Sequence, residues 1–471
     1  MATLTFLGAV EGVTGSMYLL KTQSSTILLD CGLFQGRKEE EAANRKSLPF
    51  SPSSIDAVIL SHAHLDHSGR LPLLVNHGYQ GPIYMTSPTL DLIEVLLNDA
   101  ASLQLRDVEW ENKRRRRSGK KEIDPLYTLD DVEDTLHCCQ GVEYHEKVSV
   151  SQDVTLTMYD AGHILGSSIV ELVIEEGGAP RKLVFSGDLG NAQAALLRDP
   201  EYLQDADVVL MESTYGDREH RSMHDTLEEF EAVLTEASRD GGNILIPSFA
   251  VGRTQEIIFR LGELYQKGKL PQQLVCLDSP MAIAVTEIYH RYQDVYNRED
   301  KTAIQAHDHS PRHLKSLHSF LPTLRYSVST EESIALNRID RGAIIIAGSG
   351  MCNGGRIRHH LKHNLWRHQS HVVIVGYQAM GTPGRILVDG AKHIKMAGEN
   401  IAVNAQIHTL GGFSAHASQS QLIEWVNHFK PSKPKLFLVH GEEMAKQALQ
   451  SELKKQGWSP TIPEPRQTIT I

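Results

Sequence analysis

Short apolar runs broken by turn residues fill the first two hundred positions. Thr3-Leu4-Thr5-Phe6-Leu7 alternates as a half-buried strand does, and Ser16 to Leu20 with Ser25 to Asp30 predicts a hairpin. Further strands are expected at Ala57 to Leu60, Pro82 to Thr86, Val154 to Tyr159, Ile169 to Ile174, Leu183 to Ser186 and Val208 to Met211, with a helix over 88–105. From about 214 to 375 the pattern becomes regular. Helical spacing over 222–239 (Thr226, Leu227, Phe230, Val233, Leu234, Ala237) leads to a strand at Asn243 to Pro247 and a helix at Arg253 to Tyr265. Strands at Leu274 to Leu277 and Ala343 to Ala347 complete a pattern that predicts a separate inserted domain built on a parallel sheet. Beyond it, Val372 to Val375 and Leu436 to Val439 read as strands and Glu443 to Gln456 as a closing helix.

The candidate chemistry sits at strand ends. Directly after Ala57 to Leu60 comes Ser61-His62-Ala63-His64-Leu65-Asp66-His67. In an extended chain His62 and His64 share a face. A turn after His64 lets Asp66 and His67 face a second point nearby. A lone buried His is usually a hydrogen-bonded core residue. Three imidazoles and a carboxylate within six residues instead suit two divalent metal ions. The same order of strand, polar residue and glycine recurs at His163 in Asp160-Ala161-Gly162-His163, at Asp188 in Ser186-Gly187-Asp188-Leu189-Gly190, and at His440 in Leu438-Val439-His440-Gly441.

With these motifs in view, HxHxDH followed by His163, Asp188 and His440 resembles the metallo-β-lactamase superfamily of dinuclear hydrolases. Glu212-Ser213-Thr214-Tyr215-Gly216, the glycine-rich Ser349-Gly350-Met351-Cys352-Asn353-Gly354-Gly355-Arg356 and Phe413-Ser414-Ala415-His416 are similar to motifs of its β-CASP branch, which processes nucleic acids and includes the cleavage and polyadenylation endonuclease. The resemblance implies an α/β fold: an αβ/βα metallo-β-lactamase sandwich in two parts, 1–213 and 376–471, around an inserted α/β β-CASP domain, 214–375. It makes 376–471 an RNA-metabolising segment. It implies two zinc ions, one held by His62, His64 and His163, the other by Asp66, His67 and His440, with Asp188 bridging and Asp30 supporting from behind. Glu212 and His416 match catalytic motifs outside the primary ligand set.

The implied activity is a zinc-dependent ribonuclease that hydrolyses RNA phosphodiester bonds by a two-metal hydroxide mechanism, cutting endonucleolytically and with 5′-exonucleolytic action open, in a cleft between the two domains. Asp66 and Asp188 would act through the metals. His416, oriented by Glu212, is the expected general acid, with phosphate hydrogen bonding as the alternative. Backbone N–H groups of Ser349, Gly350, Gly354 and Gly355 suit a phosphate, Arg356 adds a two-pronged contact, and Arg253 is placed along the substrate path. A small-molecule ester or thioester hydrolase and a non-catalytic RNA-processing subunit are the competing readings. The inserted domain and the Phe413-to-His416 motif weigh against the first, and the complete ligand set against the second.

Composition adds limits. The chain has 471 residues, enough for two domains or more, and a formal net charge of -11, which disfavours broad non-specific nucleic-acid binding but not a local site. No apolar run approaches the roughly 20 residues of a membrane span. Five scattered cysteines (Cys31, Cys138, Cys139, Cys276, Cys352) suggest no disulfide framework, and no secretory signal is apparent, so a cytoplasmic protein is expected. The expected partner is single-stranded RNA, with no membrane; a homodimer is compatible with the sequence. The basic run Lys113 to Lys121, flanked by Glu109, Glu111, Glu122 and Asp124, is read as a solvated loop or helix end. His307, His309, His313 and His318 cluster around Pro311 without the strand-end order and are read as surface residues. Cys138-Cys139 lacks a zinc partner motif, and His359 and His360 are assigned to packing or phosphate contact.

Overall fold

A computed structural model describes residues 1–36, 38–192, 194–293, 317–396 and 398–471. His307, His309, His313 and the side chain of His318 lie outside the described residues. In chain order the strands are β1 (Thr3–Gly8), β2 (Met17–Lys21), β3 (Thr26–Leu29), β4 (Ala57–Ile59), β5 (Ile83–Thr86), β6 (Cys139–Val142), β7 (Lys147–Ser149), β8 (Val154–Asp160), β9 (Ser168–Ile174), β10 (Arg181–Phe185), β11 (Val208–Met211), β12 (Ile244–Pro247), β13 (Leu274–Leu277), β14 (Leu324–Tyr326), β15 (Ala343–Ala347), β16 (His371–Ile374), β17 (His393–Met396), β18 (Glu399–Ala402), β19 (Gln406–Thr409), β20 (Lys435–Leu438) and β21 (Thr468–Thr470).

The chain divides into two units. The first comprises Met1–Ala192, Asp199–Glu219 and His416–Ile471. It contains a sheet in the order β21-β1-β2-β3-β4-β5-β6 and another in the order β20-β11-β10-β9-β8-β7. Leu4, Phe6, Tyr18, Leu20, Ile27 and Leu29 of one sheet share a core with Leu156, Met158, Leu172, Phe185, Leu210 and Phe437 of the other. Alternate residues of the second sheet, including Val184, Val209, Met211 and Leu438, point the opposite way and pack on Trp425, Val426, Leu449 and Leu453 of two helices. Both faces are covered, which is why these strands read as continuous apolar runs. The helix expected over 88–105 extends over Ser87–Arg117. The arginines of the basic run therefore form its last turn, where cations face the negative end of the helix dipole. Arg114 and Arg115 pair with Glu111, and Arg116 with Glu122.

The second unit comprises Gln193–Arg198 and His220–Ala415. Its six-stranded sheet, in the order β14-β13-β15-β12-β16-β19, is parallel throughout, the arrangement expected from the alternating pattern. The boundary at 375/376 is corrected. β19 pairs with β16, Val372 opposite Ile407 and Ile374 opposite Thr409, so 376–415 stays with the inserted unit and the chain returns to the first at His416. That pairing joins two short runs 35 residues apart (406 against 371), and no local pattern specifies it.

Asp278, after β13, shows how the second unit holds its loops. Its buried carboxylate accepts from Ser333 Oγ at 2.6 Å and Arg356 Nη1 at 2.7 Å, and lies 2.5 Å from His360 Nε2. Burial opposes ionisation, but the bonds from His360, Ser333 and Arg356 outweigh it and lower the pKa to about 2. A lowered carboxylate contributes stability above its unfolded value near 3.9 and loses it as pH falls towards the folded value. We expect Asp278→Asn to destabilise by about 1–2 kcal/mol at pH 7, after allowance for solvent screening. The gap from wild type should narrow steadily between pH 5 and 3 in thermal melts; a gap constant with pH would contradict this account.

Candidate metal centre

Neighbouring parallel strands deliver the polar residues in a row. β10 pairs with β11, and β11 with β20, so the residues following their C-terminal ends, Asp188, Glu212 and His440, emerge side by side. In the other sheet β3 pairs with β4 in parallel, placing Asp30 beside the start of the His62–His67 segment. The chain turns into a short helix, Leu65–Ser68, which carries Asp66 and His67. Gly187 and Gly190 permit the close approach around Asp188. A Cβ on Gly190 would lie 2.0 Å from Gly162 O, and Gly187 has a left-handed φ of +55°.

The side chains form two groups. His64 Nδ1 lies 3.2 Å from both His62 Nε2 and His163 Nε2. His67 Nε2 lies 3.1 Å from His440 Nε2, which lies 3.5 Å from Asp66 Oδ2. Asp188 belongs to both. Its Oδ2 is 3.5 Å from His62 Nε2 and 3.7 Å from His163 Nε2, while its Oδ1 is 3.4 Å from His67 Nε2 and 3.3 Å from His440 Nδ1. His62, His64, His163 and Asp188 each offer a ligand atom within 4.8 Å of the others, as do Asp66, His67 and His440.

This donor set fits divalent metal ions. Asp188 Oδ1 is buried with no hydrogen-bond partner, an expensive state for a carboxylate oxygen unless a cation sits against it. Ring nitrogens also converge at 3.1–3.2 Å, close to the spacing of two nitrogens on one zinc ion. Burial, then the neighbouring His67, pushes His62 well below the usual imidazole range, and burial lowers His64. Both are thereby held neutral, the form that ligates metal. At His67 burial works in the same direction, but Asp188, Asp30 and Asp66 together override it and raise the pKa. Three carboxylates there call for positive charge.

Behind the donors lies a supporting layer. Asp30 Oδ2 is 2.6 Å from His67 Nδ1 and accepts from Ser16 Oγ at 2.9 Å and Ser61 Oγ at 3.1 Å; its Oδ1 accepts from Ser61 N at 2.9 Å. These bonds hold Asp30 at φ +56°, and His440 sits at φ +49° with its N–H on Ala9 O. Such backbone costs of the order of 1–3 kcal/mol per residue and persists only where surroundings over-determine it. Ser16, Ser61 and Thr214, whose Oγ1 lies 3.3 Å from His440 Nδ1, were missed by sequence reasoning. Only the position of Ser61 next to His62 hinted at a role.

Glu212 and His416 lie against this centre. Glu212 is fully buried and accepts from Leu189 N at 2.7 Å and Thr214 N at 3.2 Å. Its Oε1 is 3.3 Å from His416 Nδ1, and that nitrogen is 3.9 Å from Asp188 Oδ2. Burial opposes the charged ring, but Glu212, by charge and hydrogen bond, wins and raises the His416 pKa to about 9. That shift favours the protonated ring at neutral pH, the form a general acid needs.

The expected substrate contacts all lie in the second unit. Gly355, at φ +65°, admits no side chain, since a Cβ would meet Gly348 O at 2.1 Å. Ser349 Oγ donates to Asn353 Oδ1 at 2.7 Å and accepts from Gly354 N at 3.3 Å, while Gly350 O accepts from Gln378 Nε2 at 3.0 Å. Arg356 gives Nη1 to Asp278 and to Ser327 O, and Nη2 to Val328 O, so its donors largely hold the loop. Arg253 is buried and pairs with Glu256 at 2.6 Å. His360 is buried between Asp278 and Asn337, a packing role. The five cysteines are unpaired.

The fold and site define a metallo-hydrolase of the metallo-β-lactamase type, and sequence comparison agrees. Residues 19–210 match the metallo-beta-lactamase superfamily domain, 254–387 the Beta-Casp domain, and 400–463 the Zn-dependent metallo-hydrolase RNA specificity domain. The chain is 41% identical over 452 residues to "Ribonuclease TTHA0252" of Thermus thermophilus, covering 96% of this chain and 95% of that protein. It is 33% identical to "Transcription termination factor FttA" of Methanocaldococcus jannaschii, covering 93% of this chain and 67% of the relative. A solved structure of a protein of unknown function from Enterococcus faecalis shares the fold with a TM-score of 0.55 at 14% identity, each chain covered in full. The chain belongs to the β-CASP family of the metallo-β-lactamase superfamily. Among the described residues no helix is long and apolar enough to cross a membrane.

Proposed function

We propose that this protein is a ribonuclease that hydrolyses phosphodiester bonds of single-stranded RNA with two bound zinc ions. One observation carries the reading: Asp188 turns one carboxylate oxygen to each of two histidine groups, and the His416–Glu212 pair lies alongside. His62, His64 and His163 would hold one ion, Asp66, His67 and His440 the other, with Asp188 shared. Two zinc ions would supply hydroxide at neutral pH and neutralise phosphoryl oxygens.

The chain's own groups do the rest. Asp30 fixes His67 through Nδ1, leaving Nε2 for the metal side. Glu212 holds a proton on His416 for the leaving oxygen, whose departure as an alkoxide would be slow. With Arg356 engaged by Asp278, phosphate contact in the Ser349–Gly355 loop falls to backbone N–H groups. The ribonuclease relative and the RNA specificity match support RNA as the polymer.

The test incubates zinc-loaded protein with end-labelled single-stranded RNA and DNA carrying 5′-mono- or 5′-triphosphate. RNA products that disappear with a chelator and return with zinc are expected, and the ladder separates internal from 5′-end cutting. Rapid ester hydrolysis with no cleavage of any oligonucleotide would overturn the reading in favour of a small-molecule hydrolase.

A further inference from the structure

A second group of metal-capable side chains lies within the second unit. Glu236 and Asp240 stand one turn apart on the Met223–Asp240 helix, so they share a face. β16 and β19 pair with His371 opposite Gln406 and Val373 opposite His408. Residues two apart on a strand point the same way, so His371 and His408 project from one face of the sheet. His371 Nδ1 and His408 Nε2 are 2.9 Å apart, and Glu236, His371 and His408 each offer a ligand atom within 4.8 Å of the others.

We infer that Glu236, His371 and His408 form a further, structural site for a divalent cation of the zinc or cobalt class, with Asp240 supporting it from behind. His371 is fully buried, and its Nε2 has no hydrogen-bond partner; it faces Asp240 Oδ2 at 3.4 Å. Gln406 Nε2 donates to that same carboxylate at 3.0 Å and so orients it. This repeats the order seen at His67, one ring nitrogen towards the donor group and the other towards a carboxylate fixed by its neighbours. Metal-ligating histidines commonly have that arrangement. A ring-to-ring hydrogen bond alone would satisfy the two facing nitrogens and leave unexplained the carboxylate of Glu236 beside them.

The chemistry is consistent. Two imidazoles and a carboxylate suit zinc or cobalt better than calcium or magnesium. Burial lowers the pKa of both rings and keeps them neutral. The nitrogen separation is close to the 3.1–3.2 Å of the first centre, and a small ring rotation opens it to the roughly 3.3 Å set by zinc–nitrogen bonds of about 2.0–2.1 Å. A bound ion would tie the helix to β19, the edge strand of the sheet.

The test uses the full chain, stripped with a chelator and reloaded with Zn²⁺ or Co²⁺. Metal content after gel filtration should be one ion per chain lower in His408→Asn and in Glu236→Gln than in wild type. Each variant should keep its RNA cleavage at saturating zinc and lose part of the zinc-induced rise in melting temperature. Co²⁺ should give wild type an additional visible band set absent from both variants. Equal metal content in wild type and Glu236→Gln, the milder change, would overturn the site. So would a His408→Asn variant that is less stable but binds as much metal, the result for a ring-to-ring hydrogen bond only. Metal content is read independently of cleavage, so failure of the ribonuclease reading leaves this result interpretable.

Discussion

Asp188→Ala should reduce RNA cleavage by about 10⁴-fold or more and lower bound metal at both positions of the first centre. Its two oxygens face different histidine groups at 3.3–3.7 Å, so a single truncation removes a donor from each. Metal contributions to charge stabilisation run to several kcal/mol, and about 5.5 kcal/mol corresponds to 10⁴ in rate. The change also removes one of the three carboxylates that surround His67. Cleavage kinetics and metal analysis on the same preparation check this. Loss of one ion with the other retained would show that Asp188 serves a single metal.

His416→Ala has a different signature. The ring is no donor in either ligand group, so metal content should stay at the wild-type value while kcat falls by roughly 10²–10⁴, the range for a lost general acid. Glu212→Gln should act in the same direction. It preserves acceptance from Leu189 N but withdraws the charge that holds the proton on His416. RNAs with a leaving group of low pKa discriminate the roles. If His416 protonates the leaving oxygen, such substrates recover much of the loss; if it only binds phosphate, they stay as slow as ordinary RNA and KM rises.

The legibility of the site follows from strand geometry. His62, His163, Asp188 and His440 were readable because each follows an apolar run at a strand end, often beside glycine, and that local order survives in the sequence. The same reasoning left Ser16, Ser61 and Thr214 unseen, since isolated hydroxyl residues have no pattern until Asp30 and His440 are brought to them. Arg356 was read as a free two-pronged cation because nothing local announces Asp278, 78 residues earlier. The upward shift of the His416 pKa was equally hidden, being set by Glu212 across 204 residues.

The sequence by itself determined the class of fold, the parallel sheet of the inserted unit, the family resemblance and the candidate donors of the first centre, because side-chain period and strand-end order are local properties. Tertiary structure alone decided how those donors divide between two groups, with Asp188 in both. It also decided that 376–415 belongs with the inserted unit, and that His371 and His408 face Glu236. Each of these rests on parallel strand pairing between distant segments. Parallel pairing can join any two apolar runs of similar length, and only the packing of the complete chain selects the partners.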